Sequence, residues 1–221
     1  MGREAVIKIP HIGAKPMAKS PFHSQMDIMA HIHAVAVFCG SRSGNNPAYH
    51  ASAHELGHGL AKAGIGLVYG GGRIGLMGVL ADAALEAGGT VLGVIPEFLT
   101  RREVMHKGIT ELVVTDSMHS RKQRMFEASD AFISLPGGLG TLDETIEIIT
   151  WRQLRLHAKP VLICDVAGSA AAFLAAIEAA IAAGFAPPET RHLYEVADGV
   201  PAVLRRLAHL HRSGGGEATR L

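Results

Sequence analysis

Cysteine is almost absent. The 221 residues hold two, Cys39 and Cys164, each at the end of an apolar run. Two thiols cannot staple a disulfide scaffold, so the chain reads as intracellular, with a cytoplasmic location expected. Aromatic residues make up only 5%, too few rings for a platform that stacks single-stranded nucleic acid. Neither sign of charge dominates: 21 Lys and Arg meet 20 Asp and Glu, a net charge of +1. That balance argues against a broad basic surface for nucleic acid. No apolar run reaches the roughly 18 residues that a membrane helix needs, and no unbroken apolar stretch marks a secretory signal. No nucleic-acid partner and no membrane partner are therefore expected.

What the chain does have is glycine, 26 of them, and histidine, 13. The glycines cluster. Hydrophobic residues reach 48%, ordinary for a folded domain. The length suits one large domain at roughly 150 residues per domain. Residues 1–33 show no periodicity, carry Pro10, Pro16 and Pro21, and read as a flexible N-terminal extension. Residues 34–212 read as a single domain, and the Gly-rich stretch 213–221 as a loose tail.

Within that domain, short runs rich in Val and Ile alternate with stretches of helical length. The predicted strands are 34–39, 66–69, 90–95, 111–115, 131–135, 160–164 and a weak one at 193–196. The predicted helices are 47–63, 75–87, 118–129, 141–156, 169–183 and 200–210. Consecutive apolar positions imply strands buried on both faces, hence a parallel sheet. Strand–helix alternation adds right-handed crossovers. The expected fold is α/β: a Rossmann-like, doubly wound parallel sheet of about seven strands with helices on both faces.

Ligands in such sheets sit at the carboxyl ends of strands. Three strand-to-helix loops there are glycine-rich: Gly40-Ser41-Arg42-Ser43-Gly44, Gly70-Gly71-Gly72-Arg73-Ile74-Gly75 and Pro136-Gly137-Gly138-Leu139-Gly140-Thr141. Glycine lets backbone approach a ligand, and helix N-termini offer free N–H donors, so together they can cradle an anion. The P-loop signature is absent. Gly70, Gly72 and Gly75 match G-x-G-x-x-G only formally, because no ribose-binding acid stands at the right distance.

Two side-chain patterns allow a bland reading and a sharp one. Thr141-x-x-Glu144 has the form of a capping box, as does Ser52-x-x-Glu55. Yet Glu144 also sits one turn above an anion cradle, and Leu142, Ile146 and Ile149 define an apolar face that leaves it elsewhere. Arg121 and Lys122 open a helix, a poor place for cations unless an anion or carboxylate lies near. A third pattern, His54-Glu55-x-x-His58, imitates a zinc site. It has no identifiable third ligand, lies on a crossover helix and is loosened by Gly57 and Gly59, so two exposed histidines are expected instead.

The second and third glycine loops, joined to Met118-His119-Ser120-Arg121-Lys122 and Thr141-Leu142-Asp143-Glu144, resemble the LOG (Lonely Guy) family, cytokinin riboside 5′-monophosphate phosphoribohydrolases long mislabelled as lysine decarboxylases. Thr150-Trp151-Arg152-Gln153-Leu154 and His157-Ala158-Lys159-Pro160 are similar too, and the resemblance spans about residues 34–210. It implies hydrolysis of the N-glycosidic bond of an adenosine or cytokinin riboside 5′-monophosphate, releasing base and ribose 5-phosphate. It implies Glu144 and Arg121 as the catalytic pair. It assigns the 5′-phosphate to Gly71, Gly72, Gly138, Gly140 and Thr141, and lines the rest of the substrate site with Ser41, Glu103, Lys122, Leu139, Asp143 and Thr150. No cofactor or metal is implied, and a homodimer is. Leu139, Asp143 and Ser117 depart from the residues common at those positions in the family, leaving open the choice between AMP and prenylated AMP. The alternative is a non-catalytic nucleotide or molybdenum-cofactor carrier, which has a similar sheet and a related glycine loop.

Overall fold

The computed structural model describes residues 32–100 and 105–213. Nearly all of the expected extension, the tail beyond Ser213 and the candidate residue Glu103 lie outside the described residues. Among the described residues, seven strands form one parallel sheet: β1 (Ala34–Phe38), β2 (Gly66–Tyr69), β3 (Val91–Pro96), β4 (Glu111–Thr115), β5 (Ala131–Ser134), β6 (Val161–Asp165) and β7 (Glu195–Asp198). Their spatial order is β4-β3-β2-β1-β5-β6-β7. The chain winds outward from β1 to β4, then returns to the other side of β1, so the switch point falls between β1 and β5. This is the doubly wound sheet that the alternation implied.

Six helices among the described residues cover it: α1 (Pro47–Lys62), α2 (Gly75–Glu86), α3 (Met118–Glu127), α4 (Leu139–Gln153), α5 (Ala171–Ala182) and α6 (Gly199–Ser213). Strand side chains alternate between two cores. Val35 and Val37 of β1 pack with Leu56 and Leu60 of α1, Leu80 of α2 and Val203 of α6. Ala36 and Phe38 face the other way, with Met125 of α3, Ile148 and Ile149 of α4 and Ile177 of α5. Burial on both faces is what made these strands read as continuous apolar runs. Ile32, 1% exposed, already belongs to the first core. No helix among the described residues is long and apolar enough to cross a membrane.

The histidine helix has a packing explanation. A Cβ on Gly57 would lie 2.2 Å from the carbonyl oxygen of Leu80, so glycine lets α1 press against α2. His54 and His58 are exposed and stack on each other. Ser52 and Glu55 lie mid-helix, and α1 is capped instead by Asn46, whose side chain accepts from the Ala48 N–H. The last strand sits two residues later than predicted, because a 3-10 turn over Pro188–Leu193 takes up Leu193.

Candidate active site

The three glycine loops meet at the carboxyl edge of β1, β2 and β5, and they meet each other. Gly40 N–H donates to the Pro136 carbonyl at 3.1 Å, and Leu76 N–H to the Gly40 carbonyl at 3.0 Å. A Cβ on Gly75 would stand 2.3 Å from the Ser41 carbonyl carbon, and one on Gly137 would stand 2.1 Å from Thr141 Oγ1. These glycines serve loop-on-loop packing. Gly138 and Gly140 differ: nothing lies within 4 Å of where their Cβ atoms would be. They begin α4, whose N-cap Gly138 makes no side-chain cap bond, so its first N–H groups lack that partner.

Beneath that helix start lies a cavity of about 310 Å³, bordered by Ser41, Gly138, Leu139, Gly140, Thr141, Arg121 and Glu144, with Met77, Leu99 and Met118 as apolar wall. Arg121 and Glu144 are 7% and 6% exposed. Arg121 Nη1 donates to Glu144 Oε1 at 2.7 Å, and its Nε donates to the Val94 carbonyl at 3.1 Å. Burial pushes the Glu144 carboxyl above the ordinary carboxylate range, and the Arg121 charge pulls part of the way back. The pair is therefore a buried carboxylate held by a fixed cation. Cys39 closes one wall, its thiol pushed up by burial and by Glu144.

The capping-box reading of Glu144 does not survive. α4 starts at Leu139, so Thr141 lies inside the helix and Glu144 is buried against Arg121. The buried face of α4 runs through Thr141, Glu144, Thr145, Ile148 and Ile149, while Leu142 and Ile146 point outward at 40% and 44% exposure. A real capping box is found on α3, where Ser117 and Ser120 bond reciprocally. Ser117 thus supplies the side-chain acceptor that an Asp there would supply, and a Ser three residues on is the weak sequence signal for it. Asp116 also accepts from Ser120, and these hydroxyls hold its carboxyl below its usual range.

The structure gathers the remaining candidates unevenly. Lys122 Nζ bonds Asp143 at 3.2 Å, next to the buried pair on both helices, and pairs with Glu147 at 3.0 Å; Lys122 and Asp143 border neither cavity. Ser41 and Leu139 line both this cavity and a neighbouring one of about 620 Å³, which also takes in Arg42 and Tyr49. Leu139 is 85% exposed at that shared rim. Gly71 and Gly72 are buried and border neither cavity; only Gly70 of their loop does. Thr150 is exposed on an apolar groove between α4 and α5, away from Arg121 and Glu144. Among the described residues no group of three His, Cys, Asp or Glu is placed to hold a metal.

A family model described as "Possible lysine decarboxylase" matches residues 77–207. The chain is 47% identical over 173 residues, 78% of its length and 76% of the other's, to the probable cytokinin riboside 5′-monophosphate phosphoribohydrolase LOGL9 of Oryza sativa subsp. japonica. It is 48% identical over 159 residues, 72% of its length and 80% of the other's, to the cytokinin riboside 5′-monophosphate phosphoribohydrolase of Rhodococcoides fascians. Among solved structures, the molybdenum cofactor carrier protein of Chlamydomonas reinhardtii matches with a TM-score of 0.61 at 22% identity, covering 80% of this chain and 97% of that one. The molybdenum cofactor binding protein of Rippkaea orientalis matches at 0.62 and 21%, over 80% and 96%. At such identities the likeness is one of fold.

Proposed function

Because the chain belongs to the LOG family, whose model carries the lysine decarboxylase description, we propose that its buried Arg121–Glu144 pair hydrolyses the N-glycosidic bond of a cytokinin riboside 5′-monophosphate. The chain is an N-glycosyl hydrolase, and the products are a free adenine-type base and ribose 5-phosphate. The observation that carries the site assignment is a carboxylate, raised by burial and fixed by a guanidinium, one turn from an open helix start. Loss of the base leaves positive charge on the sugar, and a carboxylate beside the anomeric carbon stabilises it. Water adds its hydroxyl to that carbon and gives its proton to Glu144, which passes it on so that the departing base leaves protonated and the carboxylate is restored. Arg121 holds the carboxylate in place. Gly138, Gly140 and Thr141 receive the 5′-phosphate at the start of α4, where the helix dipole favours an anion. Lys122 and Asp143 form the outer ion pair beside the buried one.

AMP itself is a second substrate in this reading, and relative kcat/KM decides between it and the prenylated form. Incubating the protein with AMP and with isopentenyl-AMP, and following base release by chromatography, tests the proposal. Base and ribose 5-phosphate in equal amounts are expected; no base from either substrate overturns it.

A cytoplasmic homodimer completes the reading. Leu142 and Ile146 project from α4, beside Ala172, Ala176 and Ala180 at helical spacing on α5, around a groove of about 590 Å³. Knobs and hollows on one surface suit a two-fold contact. Thr150 lies on the same wall, so its part in the substrate site depends on the second copy. Light scattering should give twice the chain mass, and Ile146→Asp should give a monomer.

A further inference from the structure

The second glycine loop, so prominent in the sequence, turns its middle away from both cavities. Gly71, at φ +77°, is wedged with its missing Cβ 3.0 Å from Ile95 Cβ. Its carbonyl accepts the His106 N–H at 3.0 Å, and Gly72 pairs with Met105 in an antiparallel bridge. The His106 ring is buried, 5% exposed. Gly108 N–H donates to Nδ1 at 3.1 Å, which makes that nitrogen the acceptor and leaves Nε2–H to donate to Asp82 Oδ1 at 2.8 Å. Asp82 stands on α2, the helix that the same glycine loop opens. One residue therefore ties loop, helix and the turn into β4 together.

On its other side the loop touches the reacting pair. A Cβ on Gly70 would lie 2.4 Å from Arg121 Nη2. The guanidinium rests on this glycine while it reaches Glu144.

We propose that His106 is a positioning residue: it holds the Gly70–Gly72 loop in place under the Arg121 guanidinium, and so keeps Arg121 on Glu144. The inference rests on the assignment of Arg121 and Glu144 to catalysis. His106 touches neither, so its removal shifts the seat of the cation rather than taking away a group that meets substrate. Such a shift acts on turnover, since a displacement near 1 Å at a reacting group costs up to about 100-fold. It also acts on Glu144 directly. Arg121 and Lys122 from α3 lower that carboxyl; Asp143 beside it raises it, and it faces Cys39 at the end of β1.

The test uses Asp82, whose side chain is half exposed, so that folding is preserved if His106→Leu unfolds. Asp82→Leu removes the acceptor of Nε2–H, whereas Asp82→Asn keeps an oxygen there. Two readouts are needed: kcat and KM for isopentenyl-AMP, and the Glu144 carboxyl titration followed by carbon-13 NMR. Asp82→Leu should lower kcat about tenfold with KM within about twofold, and move the Glu144 midpoint upward. Asp82→Asn should restore both. A fall in melting temperature with kcat and the Glu144 midpoint unchanged overturns the proposal, as does failure of Asp82→Asn to rescue. If the wild-type protein releases no base, the hydrolase reading fails, while the Glu144 titration still decides whether His106 positions Arg121.

Discussion

Two neighbouring cations of α3 pair with two neighbouring carboxylates of α4, and the two pairs have opposite characters. Arg121–Glu144 has side chains 9% and 8% exposed and lies at 2.7 Å. Lys122–Asp143 lies at 3.2 Å with the carboxylate 59% exposed, and Lys122 divides its charge with Glu147. Sequence treats the pairs alike: two adjacent cations, two adjacent carboxylates. Burial separates them. An exposed pair is screened and contributes little, whereas a buried one couples protonation, position and reactivity. A carboxylate raised by burial is a better proton acceptor near neutral pH than an ordinary one.

The largest expected effect comes from the buried side. Glu144→Gln keeps the shape and a bond to Arg121 but removes the charge, and kcat should fall roughly 1,000-fold with nucleotide binding retained. Calorimetry with AMP beside a base-release assay measures both. Full activity in that variant would dissolve the distinction between the pairs.

Arg121→Ala comes next. It leaves a buried carboxylate without its cation, so stability above the Glu144 pKa should drop by up to about 3 kcal/mol. The acid limb of kcat/KM should move in a set direction. On the proposed mechanism the wild type needs ionised Glu144, whose carboxyl is already above its ordinary value of 4.5, so activity should fall as pH drops through that raised value. Without Arg121 the limb should shift further up in pH. An unchanged limb would mean that Arg121 does not hold Glu144 in solution.

The smallest effect belongs to the outer pair, whose Asp143 is exposed. Lys122→Ala should cost about 1 kcal/mol of stability or less and raise KM a few-fold with kcat kept, an effect that salt weakens. A loss as large as that of Glu144→Gln would bring Lys122 into the reacting group and break the contrast.

Much of this was legible beforehand. The strands were, because residues such as Val35, Ala36 and Val37 are buried on both faces of the sheet and leave an unbroken apolar run. So was the resemblance at Met118–Lys122 and Pro136–Glu144, because those motifs are local. The true face of α4 was not. Leu142 and Ile146 look like core residues by spacing, while the helix actually buries Thr141, Glu144 and Thr145, with Thr145 bonded to the Thr141 carbonyl and to Ser134. Polar burial of that kind is invisible to hydrophobic periodicity. His106 was missed for a different reason. Its partner, Asp82, is 24 residues away on another element, and neither lies in a motif.

Gly75 and Gly137 pack three loops into one piece. Packing this close channels divergence. A side chain at Gly75 or Gly137 disturbs every loop at once, whereas the projecting Leu139 can change without disturbing the frame. New substrate preferences in descendants of this chain should therefore accumulate at that rim, leaving the frame beneath it unaltered.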